Sequence, residues 1–259
     1  MKKSLPLLMA PLLMGALLFL PGCKKLFDYL QDHPDTAPGY CRIEQLNYAL
    51  PPGESFSRDT ITFTYNAMGN PTTATRPGPR TGATDFVFLY DKHDRLTDVA
   101  GVFHLADLYD STYGETWDHY IFDAHNRVVI DSSYLFPFIE NGHPTLDNHG
   151  SLILFTYDYD SEDRVIAVHE TIGGRLLTFT YAYGPDGNLT GVAHDHEVNI
   201  HQTNKIWMFL DKDYSKNNPL PDTYTYNSFG LPVKIAPPGN GGNFFMYGFT
   251  EADIRYSCK

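Results

Sequence analysis

The residues best equipped for chemistry in this chain are imidazoles and carboxylates late in the sequence: His194-Asp195-His196-Glu197, with His201 close behind. On an extended strand His194 and His196 point to one side, as two imidazoles must to share a zinc ion. The run from His196-Glu197 to His201 is one residue too long for the helical His-Glu-x-x-His site of metalloproteases. Two further runs, Asp158-Tyr159-Asp160-Ser161-Glu162 and Asp211-Lys212-Asp213-Tyr214-Ser215, space acids like the start of a calcium loop. Both lack its Gly at position six and its Glu at twelve. With 11 histidines in a chain rich in Tyr and Asp, such clusters arise readily, and turn chemistry accounts for them. No metal or other cofactor is expected. Acidic pairs such as Glu140 with Asp147, or Glu162 with Asp163, carry the groups a glycosidase uses, but nothing separates them from solvated turn carboxylates. No Gly-x-Ser-x-Gly elbow and no Gly-x-x-x-x-Gly-Lys phosphate loop occurs. The chain is not expected to be an enzyme.

These residues hang on a scaffold that repeats. Six times, one aromatic stands two positions before another, Asp, Asn or Gly follows, and three positions later comes Gly, Asn or Asp. The ring pairs are Phe63 and Tyr65, Phe88 and Tyr90, Tyr120 and Phe122, Tyr157 and Tyr159, Tyr181 and Tyr183, and Tyr224 and Tyr226. Rings at i and i−2 of a strand share one face and form an apolar stripe. Asn66, Asp91, Asp123, Asp160 and Asn227 can bond their own backbone two residues on and start a turn. The later turn position holds Gly69, Asp94, Asn126, Asp163, Gly187 or Gly230, residue types that tolerate positive φ. An apolar residue or Pro then opens the return. Aromatic strand, tight turn and apolar return make a hairpin, and the repetition makes an array of them.

The frame resembles the YD repeat of the Rhs family, whose consensus reads roughly Tyr-x-Tyr-Asp-x-x-Gly-Arg-Leu. The copies most similar to it run from Tyr157 to Val165 and from Tyr181 to Leu189, and the resemblance covers most of residues 60–235. In large members the repeats coil into a hollow shell around a cargo domain. Here the copies are 24 to 43 residues apart, too few for a closed shell, and no cargo domain is expected to follow. The chain is more similar to the short YD-repeat lipoproteins of Bacteroidota.

The N-terminus supplies an address. Lys2 and Lys3 precede an uncharged stretch, Leu5 to Leu20, too short to span a membrane, and Leu20-Pro21-Gly22-Cys23 resembles a bacterial lipobox. Residues 1–22 are expected to be a removable leader, Cys23 the lipidated residue, and 23–39 a flexible tether. Residues 40–259 form one β domain. A lipid anchor would hold the protein to the cell outer membrane without spanning it. The net charge of −12, more negative once the leader is gone, argues against nucleic-acid partners. Export favours a disulfide between Cys41, on the first expected strand, and Cys258, on the last; two separate buried thiols are the alternative.

The fold expected is all-β: an antiparallel meander of YD-type hairpins forming a strongly curved sheet or incomplete barrel. The rings of Tyr157, Tyr159, Tyr181 and Tyr183 should be mostly buried, and Gly187 and Gly230 should have positive φ. The leading function is a non-catalytic cell-envelope lipoprotein, a binding or structural module with a protein or glycan partner. The alternative is a glycan-binding or glycan-processing lipoprotein of an uptake system. With 18 Tyr and 17 Phe, leftover rings on one face could stack on sugars or grip a protein.

Overall fold

The computed structural model describes residues 41–50, 58–79, 82–147, 149–237, 242–245 and 247–258. The expected leader, Cys23 and the tether lie outside the described residues.

Each aromatic frame closes with the same turn. At Asp160, the backbone N–H donates to the Arg164 carbonyl (3.0 Å) and the carbonyl accepts from the Asp163 N–H (3.2 Å). The side-chain Oδ1 accepts from the amides of Glu162 (2.9 Å) and Arg164 (3.0 Å). Asn66, Asp91, Asp123 and Asn227 repeat this pattern. The chain reverses through positive φ at Gly69, Asp94, Asn126, Asp163, Gly187 and Gly230. In three consecutive copies an arginine five places after the second ring ties the turn to its neighbour. Arg164 Nε donates to Asp160 Oδ2 (2.8 Å) while its guanidinium covers the Tyr183 ring (4.5 Å). Arg95 and Arg127 do the same with Asp91 and Phe122, and with Asp123 and Tyr159. Second-ring hydroxyls complete the lock. Those of Tyr65, Tyr90 and Tyr159 donate to the carbonyls of Ile43, Pro71 and Val128 in the preceding unit.

These turns join the strands β1 (Cys41–Ala49), β2 (Arg58–Tyr65), β3 (Pro71–Thr75), β4 (Asp85–Tyr90) and β5 (Leu96–Val102). Next come β6 (Thr112–Tyr113), β7 (Thr116–Phe122), β8 (Val128–Leu135), β9 (Phe138–Glu140) and β10 (His143–Thr145). They are followed by β11 (Ser151–Tyr159), β12 (Val165–Ile172), β13 (Arg175–Thr180), β14 (His194–Val198) and β15 (Asn217–Pro219). The last are β16 (Thr223–Tyr226), β17 (Pro232–Ala236), β18 (Gly242–Phe244), β19 (Tyr247–Phe249) and β20 (Glu251–Cys258). Thirteen of them form one antiparallel sheet, ordered β13-β12-β11-β8-β7-β5-β4-β3-β2-β1-β20-β17-β16, and it does not close into a barrel.

The sheet curves because its register slips at the same point in every unit. Tyr65 pairs with Pro71 although Thr64 pairs with Thr73, so Thr72 is an extra residue on the return strand. Thr97, Val129, Ile166 and Val233 are extra in the same way. A bulge bends its strand and adds twist, and five in phase bend the whole sheet. The first and last strands meet in its interior, where β1 pairs with β20 from Cys41 opposite Cys258 to Ala49 opposite Glu251. Cys41 and Cys258 are joined by a disulfide, their Cα atoms 4.0 Å apart. With 217 residues of sequence separation, such a link stabilises by about 5 kcal/mol in the chain-entropy model.

Among the described residues no second large sheet covers the inner face, only the small β18-β19 hairpin. A strap crosses it: a 3-10 turn at Ile200–Thr203 and the helix α1 (Lys205–Asp211), an element not expected from the sequence. Asn204 starts the helix by accepting from the Ile206 amide (2.8 Å), and pins it to the first turn by donating to the Gly69 carbonyl (3.1 Å). Seven residues are too few for a helix to stand alone; burial holds this one. Trp207 meets the rings of Phe63 (5.3 Å), Phe88 (5.8 Å), Phe244 (5.5 Å) and Phe245 (5.4 Å). Phe209 meets Tyr120 (5.5 Å) and Tyr157 (5.3 Å). On the outer face a smaller core of Ala100, Val102, Leu108, Trp117 and Ile139 sits under the sheet β10-β9-β6.

The fifth frame departs from expectation. Tyr181 and Tyr183 are half-buried, as is Tyr159, and past β13 the hairpin keeps its turn, one further bond from the Thr190 amide to the Ala182 carbonyl (2.8 Å) and a single bridge, Tyr183 to Leu189. Asn188, at the end of that turn, donates to Asn217 Oδ1 (3.1 Å) and accepts from the Asn217 amide (2.9 Å).

Gly230 tests the turn. Its φ is +75°, and a Cβ there would stand 2.7 Å from Glu197 Oε2. Gly230→Val should lower unfolding free energy by about 1–3 kcal/mol, whereas Ser228→Val, on the exposed part of the same turn, should stay within about 0.5. Urea titration distinguishes them; equal tolerance at both would refute the turn assignment.

Candidate functional site

Of the groups singled out from sequence, His201, Asp211 and Asp213 come together, with His201 2.7 Å from Asp211 and 3.5 Å from Asp213, and the others stay apart. His194, Asp195, His196 and Glu197 lie on β14, where Asp195 accepts from the Asn218 amide (3.0 Å) and from the Tyr226 hydroxyl. His201 is buried elsewhere, in the strap. Asp158 accepts from His169 (3.1 Å), and Asp160 is used up by its own turn. Asp147 engages the Tyr113 hydroxyl and the His149 amide (2.8 Å), while Glu140 stays exposed on β9. Among the described residues no three His, Cys, Asp or Glu side chains are placed to hold a metal ion.

The structure gathers charge where the strap meets the inner sheet. At one end His201 sits between Asn199 Oδ1 (2.9 Å from Nδ1) and Asp211 Oδ2 (2.7 Å from Nε2). Burial opposes its charged form, but the Asp211 hydrogen bond and the Asp211 and Asp213 charges outweigh it and raise the pKa. The same Asp211 oxygen accepts from the Phe245 amide (2.7 Å), joining the strap to the β18–β19 hairpin. A cavity of about 210 Å³ opens beside them, lined among others by Asp213, Asn218, Asp222 and Tyr224.

At the other end lie two carboxylates that the sequence reading missed. Asp118 on β7 and Asp131 on β8 share the inner face with Tyr120 and Ser133, since Asp118 opposes Ser133 and Tyr120 opposes Asp131. They are 8% and 6% exposed. Asp131 Oδ2 accepts from the Tyr157 hydroxyl (3.0 Å), and its Oδ1 is buried without a partner in the structure. Lys212, at the left-handed C-terminus of α1, lays its Nζ 4.1 Å from the Phe209 ring centre and 5.1 Å from that of Tyr157. Burial, with the Asp118 charge, pushes Asp131 up to about 7, against Lys212 and the Tyr157 hydrogen bond. Burial also raises Asp118, against its Ser133 hydrogen bond and Lys212. Lys212 is pulled down to about 8 by burial, against the attraction of Asp131, Asp211 and Asp118. Two carboxylates and one ammonium share this interior, so a proton held between the carboxylates is the natural way to balance it. One signal was available: Asp118 stands two places before Tyr120, on the ring-bearing face. Another buried charge, Arg76, is held by Asp59, the Tyr48 hydroxyl (2.8 Å) and the Thr84 carbonyl (3.1 Å).

Past Tyr157 the inner face stays buried at Val168 on β12 and becomes exposed on β13. Tyr157, Val168 and Phe179 are opposite one another across β11, β12 and β13, and so are Phe155, Glu170 and Leu177. Phe179 is 49% and Leu177 45% exposed, and Leu176, on the other face of β13, is 64% exposed. A cleft of about 370 Å³ on the outer face is lined by Trp117, His119, Tyr134 and His143, with Asp98 accepting from Trp117 Nε1 and bonded to His119 (2.8 Å each). No helix among the described residues is long and apolar enough to cross a membrane.

No protein-family model and no curated protein matches the chain. Among solved structures it is similar to a porin-like protein from Bacteroides uniformis, at 12% identity and a TM-score of 0.45, over 84% of this chain and 98% of that one. It is also similar to the Photorhabdus luminescens Tc holotoxin pore, at 11% identity and a TM-score of 0.29, over 72% of this chain but 9% of the toxin chain.

The interior charges set a pH dependence. Between the ordinary carboxylate range near 4 and about 7, the folded protein keeps a proton on Asp131 that the unfolded chain has released, so stability falls as pH rises through that window. Lys212 acts in the opposite sense from about 8 to its ordinary 10.5. Asp131→Asn, neutral throughout, should flatten the fall between pH 5 and 7 in urea unfolding at fixed salt. A variant with the wild-type slope would show that Asp131 is charged in the fold.

Proposed function

We propose that this chain is a non-catalytic lipoprotein of the bacterial cell envelope, of the YD-repeat kind, working as a binding module. The observation that carries the reading is the exposed inner face of β13, where Leu177 and Phe179 continue the buried stripe of Tyr157 and Val168 into solvent. Exposed apolar area next to a core is where a soluble surface takes a partner. The anchor is Cys23, whose sulfur receives diacylglycerol before residues 1–22 are removed, and it holds the β domain at the outer membrane. The buried carboxylates are a structural charge balance: Lys212 and the aromatic strap cover them from any substrate, so turnover is not part of the reading. The partner is a protein or glycan with an apolar face.

One experiment addresses anchor and partner together. Cys23→Ala should release the protein from the membrane fraction, with loss of the acyl mass from the mature N-terminus. The anchored wild type, used in pull-downs from the native envelope and on a glycan array, should retain a partner that the double variant Leu177→Ser with Phe179→Ser loses at least tenfold. Membrane partitioning unchanged by Cys23→Ala would reject the anchor. Polysaccharide hydrolysis abolished by a single carboxylate substitution would replace the binding reading with an enzymatic one.

A further inference from the structure

The two edges of the thirteen-strand sheet are built differently. The β16 edge is short, four residues, and guarded. Tyr224 and Tyr226 stack on each other (5.8 Å), and their hydroxyls are tied to the Pro219 carbonyl and to Asp195. The β13 edge, Arg175-Leu176-Leu177-Thr178-Phe179-Thr180, has no proline and no acid, and every residue in it is exposed. Edge strands of proteins that stay apart usually carry a charge, a proline or a bulge in their middle, and β13 carries none. Its one charge, Arg175, stands at the end of the strand.

The backbone of this edge is free in a definite pattern. The Tyr181 amide donates to the Ile166 carbonyl (2.8 Å) on β12, so the odd-numbered residues of β13 turn their N–H and C=O toward β12. Leu176, Thr178 and Thr180 turn theirs to the open side, and no backbone hydrogen bond of the described residues engages them there.

We propose that β13 is the self-pairing edge of a homodimer, two copies joining antiparallel about a two-fold axis at Thr178. This rests on the binding-module reading and names the partner of its exposed end as a second copy. In that register Thr178 opposes Thr178 of the other copy, Leu176 opposes Thr180, and Leu177 opposes Phe179 on the inner face. The unpaired amides and carbonyls meet their complements, and each exposed leucine at 177 gains an aromatic neighbour. The two Arg175 side chains fall at opposite ends of the ladder, about 20 Å apart. A two-fold pairing is closed: it consumes both copies of the edge and stops at two. The product is a continuous curved sheet whose two hollows face the same side.

The test uses the full-length protein, purified as it matures, in sedimentation velocity and native mass spectrometry over a concentration series. Wild type should dimerise. Thr178→Lys sets like charges face to face and should leave a monomer, and so should Thr178→Glu. An equimolar mixture of the two should recover a dimer whose mass identifies it as mixed. If a charge variant fails to fold by circular dichroism, Thr178→Pro, which removes an N–H at the open edge only, takes its place and should be monomeric. A monomeric wild type would overturn the proposal, as would a dimer that survives both charge variants. A monomer that instead captures an envelope protein or glycan, in a way Thr178→Lys abolishes, would also overturn it while leaving the binding reading intact. A dimer with the predicted charge rescue but no envelope ligand would uphold it, with the second copy as the partner of the binding reading.

Discussion

A curved sheet has one demand that everything else here follows: its ring-lined inner face must be kept from water, and among the described residues only the small β18-β19 hairpin and the strap cover it. Trp207 meets the demand. It is 1% exposed and touches Phe63 and Phe88 on the sheet, and Phe244 and Phe245 on the returning hairpin. Burying an indole and four phenyl rings together supplies apolar area that no hairpin could bury alone. The strap that carries it explains the Asn204 tie to Gly69, the His201–Asp211 pair and the Lys212 position: each fixes a seven-residue helix that has little stability of its own.

The sheet that surrounds the strap is built by local rules applied repeatedly. A turn carboxylate holds two amides, an arginine bridges that carboxylate to the next ring, and a tyrosine hydroxyl reaches back to the preceding unit. Each bond alone is worth about 1 kcal/mol or less once water is counted. Their value lies in geometry. They place the second ring opposite the first residue of the return strand every time, and that placement puts a bulge at the same point in each unit. Curvature is therefore a property of the repeat, and the strap fits because the curvature is regular.

Where the strap ends, the protein changes character. Beneath its last turn two carboxylates and a lysine are enclosed in aromatic surroundings, a balance that depends on a retained proton. At β13 the inner face is exposed and the sheet edge open. Buried charge, exposed rings and free backbone thus occur side by side at one end, while the other end is tied by tyrosine hydroxyls. The asymmetry leaves the exposed apolar side chains and the open sheet edge together at β13.

The sequence by itself determined the turns, their positive-φ positions and the all-β class, because each depends on residues fewer than ten apart. It also made Cys41 and Cys258 candidates for a bond, through their places on the first and last strands. Only the tertiary structure decided the rest. The bulges are invisible in a period-two pattern, because the extra residues Thr72, Thr97, Val129, Ile166 and Val233 are ordinary strand formers. The fifth frame has a good turn sequence and keeps its turn, yet Asn188 finds Asn217 and the strand pairing beside it shrinks to a single bridge. Ile206 to Leu210 becomes a helix since the hollow it fills exists only once the sheet has curved. Asp118 and Asp131, 13 residues apart in the chain, become one charged site only because β7 pairs with β8 under Lys212, which arrives from the far end of the sequence. Local chemistry sets the turns; which side chains share an interior depends on long-range register, and no short segment carries that information.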